Sequence, residues 1–155
     1  LHIEYKETMK QPRGGGNEAT VSKSFRKAVI GMANNEGGTI LIGVKDKKFG
    51  GGEPVGFDDG IINDPDMAQM TAIQLIESKS AYAATLMNPK VIDINGINIL
   101  RIDVKPAKKP IYCNLGEGDN QFYLRLANKM SDPERLIGTE LENYLYQRFG
   151  IDERH

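Results

Sequence analysis

Ala33-Asn34-Asn35-Glu36-Gly37-Gly38-Thr39-Ile40-Leu41-Ile42-Gly43-Val44-Lys45-Asp46 places a helix end, a glycine turn, a buried strand and a carboxylate in immediate succession. Upstream of it, Phe25, Ala28, Val29, Met32 and Ala33 recur at helical spacing and form one apolar face opposite Lys23, Arg26 and Lys27. The helix they predict stops near Asn34. Asparagine tolerates left-handed backbone angles and glycine adopts them without a Cβ penalty, so Asn34 to Gly38 can reverse the chain in one short turn. Thr39 to Val44 is a nearly unbroken, β-branched apolar run, the pattern of a central strand covered on both faces. Gly43 within it marks close approach of another backbone or a ligand, and Asp46 emerges at the carboxyl end, where α/β sheets place sites.

The flanking segments fill in the architecture. An N-terminal strand around Ile3 to Lys6 leads into a Gly14-Gly15-Gly16 loop. No Gly-Lys-Ser/Thr follows those glycines, and Lys23-Ser24 falls later, inside the helix, so the loop is not a phosphate-cradling P-loop. Phe49 to Gly52 reads as a glycine-rich turn and Val55-Gly56-Phe57 as a short returning strand or turn. Asp64 caps and Pro65 starts a second helix, with Ala68, Ala72, Leu75 and Ile76 at helical spacing to pack on the sheet. Val91 to Ile94 and Ile97 to Val104 flank Asn95-Gly96, a strong hairpin signal. Phe122 to Leu126 reads as a strand, and Thr139 to Phe149 as a closing helix ended by Gly150. The expected fold is α+β, a mixed sheet with an antiparallel hairpin, flanked by helices and without internal repeats.

Glu4-Tyr5-Lys6, the helix end Ala33-Asn34-x-x-Gly37-Gly38, Ile42-Gly43-Val44, Lys109-Pro110-Ile111-Tyr112 and Tyr123-Leu124-Arg125 follow one another in an order that resembles the Schlafen-type AlbA-like domain. That family occurs in bacterial transcriptional regulators and in animal Schlafen proteins. The ordered series spans roughly residues 3 to 130, and coincident motifs are more specific than any one alone. The resemblance implies an AlbA-like fold and a nucleic-acid-associated domain. In the Schlafen branch it also implies a metal-dependent endoribonuclease site built from carboxylates, which makes Glu4 and Asp46 the candidate catalytic and metal-ligating residues and Mg or Mn the candidate metal. A further glutamate upstream of Glu4 completes that trio in relatives, whereas this sequence begins at Leu1. Lys45 stands where many relatives carry an acid, so the register of the acidic position stays open. The abrupt start, without methionine, points to a fragment of a longer parent with an additional domain.

Composition bounds the classes. The 155 residues suit one domain, expected over 1–150 with a disordered tail at 151–155, and are long enough to bury about two thirds of the unfolded surface. Hydrophobic residues at 39% against 26% charged exclude a disordered chain. No apolar run is long enough for a bilayer and no signal segment opens the sequence. Cys113 is the only cysteine, so no internal disulfide can form, which agrees with the cytoplasmic location expected. Cys113 also lacks the paired spacing of a zinc site, and His2 and His155 lie at the termini without sequence partners.

The net charge of −1 carries no global basic excess. The distribution is less even. Lys6, Lys10, Arg13, Lys23, Arg26 and Lys27 dominate the first third, Asp58, Asp59, Asp64 and Asp66 the middle, and Lys105, Lys108, Lys109, Arg125 and Lys129 a later stretch. Candidate nucleic-acid contacts are Lys6, Arg26, Lys109, Arg125 and Lys129. Lys6 shares a strand face with Glu4 and can steady a phosphate or simply neutralise that acid. Arg125, beside Tyr123 and ahead of Asn128 and Lys129, offers either a bidentate phosphate contact or an ordinary solvent-side cation on an alternating strand. The bland alternative for the acids is that Asp46 caps a turn and Glu4 pairs with a surface lysine. Tyr5, Phe122 and Tyr123 are assigned to the core or a sheet face. The leading expectation is a module that binds the DNA or RNA backbone with weak sequence preference, in a transcriptional regulator. Its rivals are a metal-dependent endoribonuclease and a protein-interaction or homo-oligomerisation module. No membrane partner is expected.

Overall fold

The computed structural model describes residues 2–10, 17–47, 50–56, 64–126 and 133–152. The Gly14–Gly16 loop, Arg13, Phe49, Phe57, Asp58, Asp59, Asn128, Lys129 and His155 lie outside the described residues. In chain order the elements are β1 (Ile3–Lys6), α1 (Glu18–Asn34), β2 (Gly38–Ile42), β3 (Val44–Asp46), β4 (Gly52–Pro54), α2 (Pro65–Glu77), α3 (Ala81–Ala84), β5 (Met87–Ile94), β6 (Ile97–Val104), β7 (Tyr112–Cys113), β8 (Gln121–Leu124), β9 (Glu134–Leu136) and α4 (Gly138–Phe149). The main sheet has the order β1-β2-β6-β5. β1 runs parallel to β2 and the remaining pairs are antiparallel, so the fold is mixed α/β with the expected hairpin. No helix among the described residues is long and apolar enough to cross a membrane.

α1 carries the core. Phe25, Ala28, Val29, Met32 and Ala33 are all buried against the sheet, where Ile40, Ile42, Leu100 and Ile102 meet them. Each large aliphatic or aromatic side chain so buried contributes about 1.5–3 kcal/mol. Asp64 Oδ1 accepts the Asp66 N–H at 3.0 Å and Pro65 opens α2, as a capped start requires. In the β5–β6 hairpin Asn95 and Gly96 have φ of 52° and 84°, the two positive values of a type I′ turn. Gly150, at φ 72°, ends α4. A second small core of Phe122, Leu124, Leu136 and Leu145 joins the β7-β8-β9 sheet to α4.

The decisive stretch follows its reading in outline and departs from it at two points. β2 is central, hydrogen-bonded to β1 on one edge and β6 on the other. The apolar run nevertheless does not continue as one strand to Val44. Gly43 adopts φ 91° and breaks it, its N–H donating to Lys6 O at 2.8 Å while its carbonyl accepts Val55 and Gly56 N–H at 2.8 and 2.9 Å. Val44 then opens a separate two-stranded sheet, β3 with β4. The second departure concerns the turn. Asn34 remains helical and the left-handed residue is Gly37, at φ 79°, where a Cβ would collide with the Val104 carbonyl. At Gly38 a Cβ would lie 2.8 Å from His2 O and 3.0 Å from Met32 Sδ, so neither glycine has room for a side chain.

Asn34 has a different task. Fully buried, its Oδ1 accepts the Ile111 N–H at 2.8 Å, and its Nδ2 donates to Ile111 O at 3.0 Å and Tyr123 O at 2.9 Å. One amide therefore ties the end of α1 to the segment before β7 and to β8. Asn35 Nδ2 donates to Arg125 O at 2.7 Å. From α4, Tyr144 Oη donates to Asn34 O at 2.8 Å, Arg148 Nε to Asn35 O at 2.9 Å, and Arg148 Nη2 to Ala107 O at 2.7 Å.

Candidate nucleic-acid interface and carboxylate pair

β1 is half-buried from Glu4 to Lys6, and successive side chains on a strand point to opposite faces, so Glu4 and Lys6 face one way and Tyr5 the other. Lys6 Nζ donates to Ser24 Oγ of α1 at 2.7 Å. On the same side Glu4 Oε1 meets Arg125 Nη1 at 3.0 Å, with only 10% and 9% of the two side chains exposed. Arg125 is not solvent-side. It follows β8 directly, its N–H donates to Gly31 O of α1 at 3.1 Å, and it is 7% exposed. Gly31 permits this approach, since a Cβ there would sit 3.0 Å from Arg125 N and 2.9 Å from Pro133 Cβ.

Arg125 also donates from Nε to His2 Nε2 at 2.9 Å. A guanidinium only donates, so His2 must accept through that nitrogen and is neutral in this arrangement. Burial, and next the Arg125 charge, hold the His2 imidazole below its ordinary value of 6.5. A histidine with a depressed folded value binds its proton more readily in the unfolded chain, so its contribution favours folding above about pH 6.5 and is lost as pH falls below it. The wild-type chain is therefore expected to lose more thermal stability between pH 7.5 and 5.5 than His2→Gln does. Parallel melting profiles for the two proteins would contradict this.

Asp46 lies elsewhere. It is exposed at the end of β3, opposite Gly52 of β4. A Cβ on Gly52 would touch the Tyr5 ring at 2.9 Å, so the β3–β4 hairpin packs on the Tyr5 side of β1, away from the side that Glu4 faces. The two acids are thus not brought to one site. Glu4 already faces a buried guanidinium, whose positive charge opposes a divalent cation at the same carboxylate. Among the described residues no three His, Cys, Asp or Glu side chains form a group that could hold a metal ion. The geometry of Glu4 and Asp46 does not fit Mg²⁺ or Mn²⁺, which require several oxygens converging on one point.

Two further candidate contacts, Lys109 and Arg26, lie against the α2–α3 segment. Lys109 Nζ sits 4.7 Å from the centroid of the Tyr82 ring, and Tyr82 Oη accepts the Lys108 N–H at 2.9 Å. Arg26 is half-buried rather than fully solvated, donating from Nε to Leu75 O at 2.7 Å and from Nη2 to Ser78 Oγ at 3.3 Å. Two groups had no sequence-level signal. Lys79, just after α2, lines the same concavity as Arg26 and Lys23. Glu117, in the loop before β8, gathers Lys23 at 2.8 Å, Lys27 at 4.0 Å and Arg135 at 3.4 Å. Its hydrogen bond to Lys23, with the nearby cations, holds the carboxyl below its ordinary range.

The family described as Schlafen, AlbA_2 matches residues 1–132. No curated protein matches the chain. Among solved structures, the DIP2311 protein from Corynebacterium diphtheriae is similar at a TM-score of 0.64 and 18% identity, over 97% of this chain and 28% of that one. The N-terminal domain of a RecG-related protein from Nitrosomonas europaea is similar at a TM-score of 0.41 and 21% identity, over 88% of this chain and 78% of that one. The chain thus spans little more than a quarter of the Corynebacterium protein's length.

Proposed function

The chain belongs to the Schlafen, AlbA_2 family, and from that premise we propose that it is a nucleic-acid-binding module that grips the DNA or RNA backbone with weak sequence preference, as part of a transcriptional regulator. The observation that carries this reading is the flank of α1. Its apolar face is consumed by the core, while Lys23, Arg26 and Lys27 stand on the opposite side with Lys79 beside them. Cations ordered in this way attract phosphate oxygens without reading bases. Arg125 enters the reading as a positioning residue, since its guanidinium is committed to Glu4 and His2.

The test is a salt titration of binding to a labelled DNA duplex and to single-stranded RNA of unrelated sequences. Affinity should fall steeply with salt and similarly for all of them. Lys109→Ala with Lys129→Ala should weaken every ligand by a comparable factor and reduce the salt slope by about two. Binding that is strong but insensitive to salt, or absent at low salt, would instead favour the interaction or oligomerisation module.

A further inference from the structure

Asn17, Ala19, Thr20, Lys23, Arg26, Lys79, Leu115 and Gly116 line a surface concavity of about 380 Å³ at the amino-terminal end of α1. Its polar wall is cationic. Among the described lining residues, Lys23, Arg26 and Lys79 contribute three positive charges. Arg26 is fixed in place by neutral acceptors, the Leu75 carbonyl and the Ser78 hydroxyl, so its charge is oriented but not neutralised. Burial pushes the nearby Cys113 thiol up to about 11, against the pull of Lys79 and Arg26. That thiol is therefore neutral at physiological pH.

The helix end is not what makes this a site. Asn17 Oδ1 already accepts the Ala19 and Thr20 N–H groups at 2.7 and 3.4 Å, so the free donors are side-chain ammonium and guanidinium groups. Glu117, next to Gly116 at the rim, is shared by Lys23, Lys27 and Arg135. Of these three cations Lys23 also lines the concavity, together with Arg26 and Lys79. An acid held by three cations occupies the place that a phosphate oxygen would take.

We propose that this concavity is a phosphate-binding site, in which Arg26 and Lys79 hold one phosphate group of a nucleic-acid strand and Lys23 turns to it from Glu117. The proposal rests on the nucleic-acid reading and narrows it to one anchoring point. Arg26 supplies a fixed fork of donors and Lys79 a mobile point charge. Glu117 competes with the ligand for Lys23, so it weakens binding and sets a threshold for it.

The experiment measures binding of a 3′-labelled RNA 12-mer carrying either a 5′-hydroxyl or a 5′-phosphate, together with an amide NMR titration by inorganic phosphate. Lys79→Gln, at an exposed position that leaves the fold intact, should weaken RNA binding by about 3- to 10-fold and lower the salt slope by about one. Arg26→Gln should do the same. Glu117→Gln should strengthen binding by about 2- to 5-fold, and Lys90→Gln, on the far hairpin, should change nothing. A larger effect of Lys79→Gln on the 5′-phosphorylated strand assigns the site to strand ends, and equal effects assign it to interior phosphates; both support it. Wild-type affinity in both Lys79→Gln and Glu117→Gln, with binding still lost in Lys109→Ala/Lys129→Ala, would overturn this site and leave the nucleic-acid reading standing. If no RNA binds, amide shifts at Thr20 and Gly116 with inorganic phosphate alone would keep an anion site and overturn the nucleic-acid reading, and unshifted amides would overturn both.

Discussion

Asn34→Ala is expected to destabilise the domain by about 3–5 kcal/mol, because it removes one side chain and leaves three buried backbone groups unsatisfied at about 1–3 kcal/mol each. Those groups are the Ile111 N–H, the Ile111 carbonyl and the Tyr123 carbonyl. Asn34→Asp should be no milder, since a carboxylate can accept from Ile111 N–H but faces two carbonyl oxygens where the amide donated. Glu36→Ala, two residues along and exposed, should stay within about 0.5 kcal/mol. Urea denaturation midpoints decide the matter. An Asn34→Ala protein within about 1 kcal/mol of wild type would mean that water or a shifted turn replaces the amide.

The second large effect is at Glu4 and Arg125. Arg125→Met leaves a carboxylate in a site where only 10% of its side chain reaches solvent, and should cost about 3–5 kcal/mol. Glu4→Leu strands the guanidinium and should cost a similar amount. The double variant should be less damaged than the sum of the two, with a coupling of more than about 1 kcal/mol in a thermodynamic cycle. Strict additivity would show that the pair is not coupled. The pairing bears on the enzyme reading too. A Glu4→Gln protein that fails to cleave RNA says little, because its fold is weakened. Asp46→Asn, at an exposed position, is the informative variant. No robust cleavage of single-stranded RNA with Mg²⁺ or Mn²⁺ is expected, and cleavage abolished by Asp46→Asn at unchanged melting temperature would make the enzyme reading primary.

The parts of the fold that were legible are those whose cause is local. The periodicity of Phe25, Ala28, Val29, Met32 and Ala33 and the Asn95-Gly96 pair need only their own neighbours, and both segments formed as read. The break at Gly43 was not legible, because the apolar run passes through it and the turn is fixed by Val55 and Gly56, more than ten residues on. Asn34 was read for what its backbone can tolerate, whereas its side chain does the work, on partners 77 and 89 residues away. Arg125 was misjudged for the same reason. Alternation in β8 says nothing about a strand that ends at Leu124 or about a histidine 123 residues upstream. At the carboxylate pair the shared face of Glu4 and Lys6 followed from strand geometry, but the side of β1 on which the Asp46 hairpin lands depends on tertiary packing.

The polar closure of the Asn34–Asn35 turn also reaches across the end of the segment that the family matches. The three carbonyls of Asn34, Asn35 and Ala107 lie within the residues matched by the family, 1–132, while the Tyr144 and Arg148 groups that satisfy them do not. The matched segment therefore does not contain all of its own hydrogen bonding. A chain cut after residue 132 would keep the Asn34–Asn35 turn but lose the side-chain donors that α4 brings to it, so the turn and the last helix are expected to loosen together.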